Sequence, residues 1–209
     1  MKKALLLLAV CASVACGGGG AAFQGSTTGR FDSVSFACWG DSLTAPDIGY
    51  ADAFARAYTP NRIVFNGGVR GQTMAQITAR MLSAPADVYR SRVLIVHDKV
   101  NLTEDVTHYV ENVDRMIAHQ TSGKYLIVSG IYSVDGSEAP GSDYYNRQHL
   151  VNLQMQGKYG VHFLDVSDLL ADPATRQDAE HLTPVARDRI LIPAIKRKLV
   201  DLGYLDVTQ

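Results

Sequence analysis

The chain has 209 residues, 46% of them apolar, and a formal net charge of −1 from 20 Lys and Arg against 21 Asp and Glu. That length suits one domain with one sizeable core, and with no basic stripe along the chain, nucleic acid is not an expected partner. The three cysteines, Cys11, Cys16 and Cys38, have neither the spacing of a thiolate metal site nor that of a disulfide framework.

The first thirty residues read apart from the rest. Lys2 and Lys3 precede an apolar run from Ala4 to Val10, which continues in small and apolar residues to Ala15. A short positive region followed by a short apolar one reads as a secretory signal over residues 1–15, and the run is too short to span a bilayer. A buried N-terminal helix is the competing reading, but the run has no amphipathic face. Ser13-Val14-Ala15-Cys16, followed by Gly17 to Gly20, resembles a bacterial lipobox, with Ser13 where most have Leu. The resemblance implies that Cys16 takes a diacylglycerol and becomes the new N-terminus, and that Gly17 after it favours the outer membrane. The acyl chains would hold the domain at a membrane. The alternative is an ordinary signal cut nearby, which leaves a free periplasmic or secreted protein. Residues 16–30, rich in Gly, Ala, Ser and Thr, read as a flexible tether. After such processing Cys38 has no partner for a disulfide.

The folded domain is expected over residues 31–209. Strand-like apolar runs fall at 34–39, 62–65, 93–97, 125–129 and 161–164, and helical patterns at 50–58, 73–82, 106–119, 143–159 and 184–202. In the third helix Val106, Val110, Val113 and Ile117 recur at helical spacing. Thr183 reads as the N-cap of the last helix with Pro184 at its first position, and Pro193 is placed to kink or split it. Strand and helix in alternation imply parallel pairing through right-handed crossovers, hence a three-layer α/β/α sandwich with a parallel sheet of about five strands. Ligands of such sheets bind beyond the carboxyl ends of the strands.

Four short segments lie at strand ends or a helix start. Gly40-Asp41-Ser42-Leu43 follows the first strand, Asn66 through Thr73 the second, and Asn101 comes shortly after the third; Asp178-Ala179-Glu180-His181 precedes the last helix. Each alone is an ordinary turn or helix start. Together they read as acyl-transfer chemistry. Ser42, in a sharp turn that Gly40 permits, needs a base to be a nucleophile, and His181 can be that base. Asp178, three residues earlier, can hold one ring nitrogen and leave the other facing Ser42. The N–H groups of Ser42 and Gly71, with the Asn101 amide, are candidate oxyanion donors. Asn66 is placed to brace its loop through side-chain to backbone bonds, and Asp41 accompanies the nucleophile.

These segments are similar to the blocks of the SGNH hydrolase superfamily, the GDSL-type esterases. Gly40 to Leu43 resembles the first block. Asn66 to Thr73 resembles the second, in which Gly71 takes the place of the oxyanion glycine. Asp178-x-x-His181 with Leu182-Thr183-Pro184 resembles the last. The resemblance runs from about Ser33 to Leu202 and implies a flavodoxin-like fold without a bound metal or cofactor. One block departs: where the family reads Gly-x-Asn-Asp, this chain has Lys99-Val100-Asn101-Leu102. A glycine at the first position allows a tight backbone path, so the bulk and charge of Lys99 bear on how Asn101 is aimed.

The expectation is a serine esterase cleaving short, chiefly acetyl, esters of carbohydrates or small lipids in the cell envelope. An O-acyltransferase using the same site, or a non-catalytic envelope binding protein on a degenerate fold, stays open. His97, Asp98 and Lys99 read as a strand end and loop with no assigned chemistry. Cys38 reads as a small buried hydrophobe and Trp39 as a packing residue; Tyr144 and Tyr145 read as helix packing, with the lining of a sugar or acyl site as the alternative.

Overall fold

A computed structural model describes residues 36–57, 63–85, 93–101, 104–132, 136 and 139–206. The signal segment, Cys16, the tether and Leu102 lie outside the described residues.

Five strands form the sheet: β1 (Phe36–Gly40), β2 (Val64–Gly68), β3 (Val93–His97), β4 (Tyr125–Val128) and β5 (Phe163–Leu164). Their order is β2-β1-β3-β4-β5 and every pairing is parallel. β1, β2 and β3 are buried along their whole length. They are covered on both faces, which is why they read in sequence as continuous apolar runs rather than as an alternation.

The helices divide between the two faces. α1 (Ala51–Arg56) and α6 (Ile192–Asp201) close one face, where Phe36, Cys38, Val93, Ile95, Leu126 and Val128 pack with Phe54, Ile195 and Leu199. α2 (Met74–Ser83), α3 (Val106–His119) and α4 (Asp143–Tyr159) close the other, over Ala37, Trp39, Leu94, Val96 and Ile127. This is the expected three-layer sandwich. No described helix is long and apolar enough to cross a membrane.

One element departs from the sequence reading, and another is divided where Pro193 was expected to kink or split it. β2 extends to Gly68, so Asn66, Gly67 and Gly68 belong to the strand and not to the loop after it. Glycine carries little strand propensity; here pairing with Cys38, Trp39 and Gly40 of β1 decides. The terminal helix is split into α5 (Pro184–Ala186), a π-helical turn at Arg187–Leu191, and α6. Pro193 has no N–H to donate, and its ring would crowd the carbonyl four residues back. Widening the preceding turn, with Ile192 N–H donating to the Arg187 carbonyl, accommodates it. Thr183 caps the start, its hydroxyl accepting from Ala186 N–H at 3.1 Å.

In this strand order the chain leaves β1 towards β2 on one side and later returns to β3 on the other. The crevice beyond the carboxyl ends of β1 and β3 is therefore the switch point where ligands of such sheets bind.

Candidate active site

Ser42 stands two residues past the end of β1. The turn that carries it is closed by Thr44 and Ala45 N–H donating to the Asp41 carbonyl at 3.2 and 3.0 Å. It is braced by Leu43 N–H donating to Asp41 Oδ1 at 2.8 Å. Thr44 Oγ1 donates to the His97 carbonyl at 2.7 Å and ties the turn to the end of β3. Asp41 is buried, and burial pushes its carboxyl up to about 6 against the opposing pull of Leu43 N–H, Lys99, His181 and Asp98.

The facing loop is a small hairpin. Arg176 and Leu182 form an antiparallel bridge, Gln177 N–H donates to the His181 carbonyl at 2.9 Å, and Thr183 N–H donates to the Thr175 carbonyl at 2.7 Å. Asp178 Oδ1 accepts the N–H groups of Glu180 and His181, both at 2.8 Å. The same carboxylate receives His181 Nδ1 at 2.9 and 3.0 Å on its two oxygens. The other ring nitrogen, Nε2, lies 3.0 Å from Ser42 Oγ. The His181 side chain is 14% exposed and that of Asp178 49%. Partial burial raises Asp178, but the Glu180 N–H and the His181 ring and N–H outweigh it, so its carboxyl titrates below the usual range.

Asn66, at the middle of β2, accepts from Gly68 N–H at 3.0 Å and donates to Asp52 of α1 at 2.8 Å, joining β2 to that helix. Gly71 follows in the exposed loop after β2 with φ of +70°, a left-handed conformation that glycine adopts without strain. Asn101 follows β3. Its loop is held by Val100 N–H donating to Gln148 Oε1 at 2.8 Å and by Glu104 N–H donating to the Asn101 carbonyl at 2.9 Å.

Ser42, Gly71 and Asn101 line one crevice of about 250 Å³ together with Asp41, Gln72, Lys99, Val100, Tyr144 and Glu180. Lys99 thus stands beside Asn101, where its departure from the family glycine places it, and Gln72, Tyr144 and Glu180 join the lining without a catalytic role assigned from sequence. Tyr144 does pack, being buried, yet one side of it faces the crevice. Glu180 sits inside the Asp-x-x-His segment, so its nearness to the site was available from its position alone. The placement of Gln72 and Tyr144 depends on which loops the sheet order brings together.

Two further buried groups lie beneath. Burial holds the imidazole of His97 down to about 3, so it is neutral. Burial pushes Asp98 well above its usual value, with Asp41 and Glu104 adding repulsion. Cys38 is buried and forms no disulfide among the described residues. Among the described residues no group of three or more His, Cys, Asp or Glu side chains is disposed to hold a metal ion.

No protein-family model matches the chain, and no curated protein matches it in sequence. Solved structures do match in fold. An acetylxylan esterase from Geobacillus stearothermophilus aligns over 79% of this chain and 93% of its own, with a TM-score of 0.58 at 16% identity. A GDSL-like lipase from Bacteroides thetaiotaomicron aligns over 81% and 89%, with a TM-score of 0.59 at 15% identity. A member of the lipolytic G-D-S-L family from Veillonella parvula aligns over 80% and 97%, with a TM-score of 0.54 at 16% identity. At such identities the likeness is one of fold.

Proposed function

We propose that this chain is a serine esterase of the GDSL type, cleaving short acyl esters of carbohydrates through an acyl-enzyme. The observation that carries the reading is the pair of contacts made by one ring: His181 Nε2 at 3.0 Å from Ser42 Oγ, and Nδ1 on the Asp178 carboxylate. A serine hydroxyl alone is a weak nucleophile, and this arrangement supplies both a base and an orienter for the base.

With Nδ1–H donated to Asp178, the lone pair of Nε2 faces Ser42. It takes the hydroxyl proton as Oγ attacks the ester carbonyl, and Asp178 stabilises the imidazolium that forms. The oxyanion of the tetrahedral intermediate is received by the N–H groups of Ser42 and Gly71 and by the Asn101 amide. One such donor is typically worth about 3 kcal/mol in the transition state. His181 returns the proton to the departing alcohol. Water, deprotonated by the same nitrogen, then releases the acid and restores Ser42.

The dimensions and lining of the crevice support a small acyl group and a polar alcohol. About 250 Å³ accommodates an acetyl group with part of a sugar, and the Gln72 and Asn101 amides among its lining residues can hydrogen-bond a polar alcohol. The fold shared with an acetylxylan esterase agrees with a carbohydrate ester. Purified protein is expected to turn over p-nitrophenyl acetate faster than the butyrate and octanoate esters, and to release acetate from acetylated xylo-oligosaccharides. No release from any acetyl ester would refute the reading.

The same proposal places the enzyme in a bacterial cell envelope, anchored through an acylated Cys16 after removal of residues 1–15, in keeping with the lipobox-like Ser13-Val14-Ala15-Cys16. The full chain expressed in a bacterial host should fractionate with membranes, and Cys16→Ser should move it to the soluble fraction. An unlipidated mature chain starting beyond Cys16 would contradict the anchor.

A further inference from the structure

Lys99 occupies an unusual place for a lysine. Its side chain is only 6% exposed, and it lines the crevice beside Ser42 and Asn101. Burying an ammonium is costly unless opposite charge or electron-rich surface meets it. Here three different elements do so. Glu180 Oε1, on the His181 hairpin, lies 3.9 Å from Nζ. The ring of Tyr144, on α4, lies 4.7 Å below it. Asp41, on the Ser42 turn, is close enough for Lys99 to favour its ionised form.

The two carboxylates are not arbitrary surface charges. Asp41 directly precedes Ser42 and braces its turn through Leu43 N–H. Glu180 directly precedes His181, and its own N–H is held by Asp178. One ammonium therefore meets the neighbour of the base in a crevice that the neighbour of the nucleophile also lines. Among the described residues, the other titratable groups acting on Asp41 are His181 and Asp98, and Glu104 and Tyr109 act in turn on Asp98.

We propose that Lys99 is a positioning residue, whose ammonium ties the hairpin carrying His181 to the turn carrying Ser42 through Glu180 and Asp41. The inference rests on the esterase reading. It gives Lys99 a use that backbone freedom at that position would not supply. The latch holds the Ser42 and His181 loops at hydrogen-bonding distance and keeps Asp41 ionised under the nucleophile. Removing the charge acts on the chemical step more than on binding, because the contact it maintains is between protein groups.

The test is steady-state kinetics with p-nitrophenyl acetate across pH on the parent, Ser42→Ala, Lys99→Met, Lys99→Arg, Glu180→Gln and the Lys99→Met/Glu180→Gln pair. Lys99→Met is expected to lower kcat about tenfold with KM changed less than about twofold. The acid limb of its profile should move to higher pH, because Asp41 loses the cation that favours its ionised form. Lys99→Arg should restore the limb. Glu180→Gln, an exposed substitution that leaves folding intact, should lower kcat in the parent and have little further effect in Lys99→Met, since both remove one interaction. Unchanged kcat and acid limb in Lys99→Met, or losses that simply multiply in the pair, would overturn the latch alone. A parent without Ser42-dependent turnover would overturn the esterase reading and the latch with it.

Discussion

The carbonyl of His97 passes so close to Gly40 that a Cβ on Gly40 would lie 1.9 Å from its oxygen and 2.4 Å from Thr44 Oγ1. The ends of β1 and β3 thus leave no room for a side chain at position 40, two residues before Ser42. Only glycine permits this, and the reason is the space and not the dihedral. Gly71 shows the opposite case, with φ of +70° and nothing within 4 Å of a Cβ.

The two glycines should therefore fail differently. Gly40→Ala forces backbone apart in a packed region and is expected to cost about 3 kcal/mol, a fall in Tm of roughly 10 °C for a domain of this size. Gly71→Ala should cost only about 1 kcal/mol of left-handed strain. Its larger effect should fall on kcat, through displacement of the N–H assigned to the oxyanion. Thermal unfolding and p-nitrophenyl acetate kinetics on both variants check this; a Gly40→Ala protein as stable as the parent would contradict the packing.

Asp178→Asn separates orientation from loop structure. Asparagine keeps an oxygen for the Glu180 and His181 N–H groups, so the hairpin and the Tm should persist. The His181 ring loses its anionic partner and its correct tautomer, and kcat should fall by about three to four orders of magnitude. Circular dichroism and initial rates check the two halves. A fall of less than about tenfold would remove Asp178 from the relay.

Stability and activity should run in opposite directions in mild acid. The Asp41 carboxyl titrates at about 6 in the fold against 3.8 when unperturbed. Between those values the folded state holds more protons than the unfolded state, so this group makes stability fall as pH rises through the window. Activity should rise over the same range, as Asp41 ionises and braces the Ser42 turn. Asp41→Asn keeps an acceptor for Leu43 N–H and removes the titration. Denaturant unfolding at pH 4 and pH 7 should show a smaller pH-dependent loss in the variant, by on the order of 1–2 kcal/mol. Identical pH dependence in parent and variant would mean that Asp41 is not shifted.

Most of the fold was legible because its signals are local and periodic. α3 and α4 fall where the pattern placed them, since each carries a helical spacing of apolar residues and a side-chain cap, Asp105 and Ser142. The extension of β2 over Gly67 and Gly68 was not legible, because glycines give no strand signal and pairing with β1 decides. The segments bearing Ser42, Gly71, Asn101, Asp178 and His181 were readable as strand ends and a helix start. Lys99 was readable as a neighbour of Asn101, but not as a buried ammonium. Its burial depends on Glu180 and Tyr144 converging from separate elements, and no spacing in the chain encodes that meeting.

The most direct test of the central claim is covalent labelling by a fluorophosphonate, followed by peptide mass spectrometry. A serine activated by His181 should be phosphonylated in parallel with loss of p-nitrophenyl acetate turnover, with the label on the peptide containing Ser42. His181→Ala should label far more slowly, and Ser42→Ala should neither label nor turn over while keeping the parent Tm. Label on any other residue, or turnover persisting in Ser42→Ala, would contradict the assignment of Ser42 as the nucleophile.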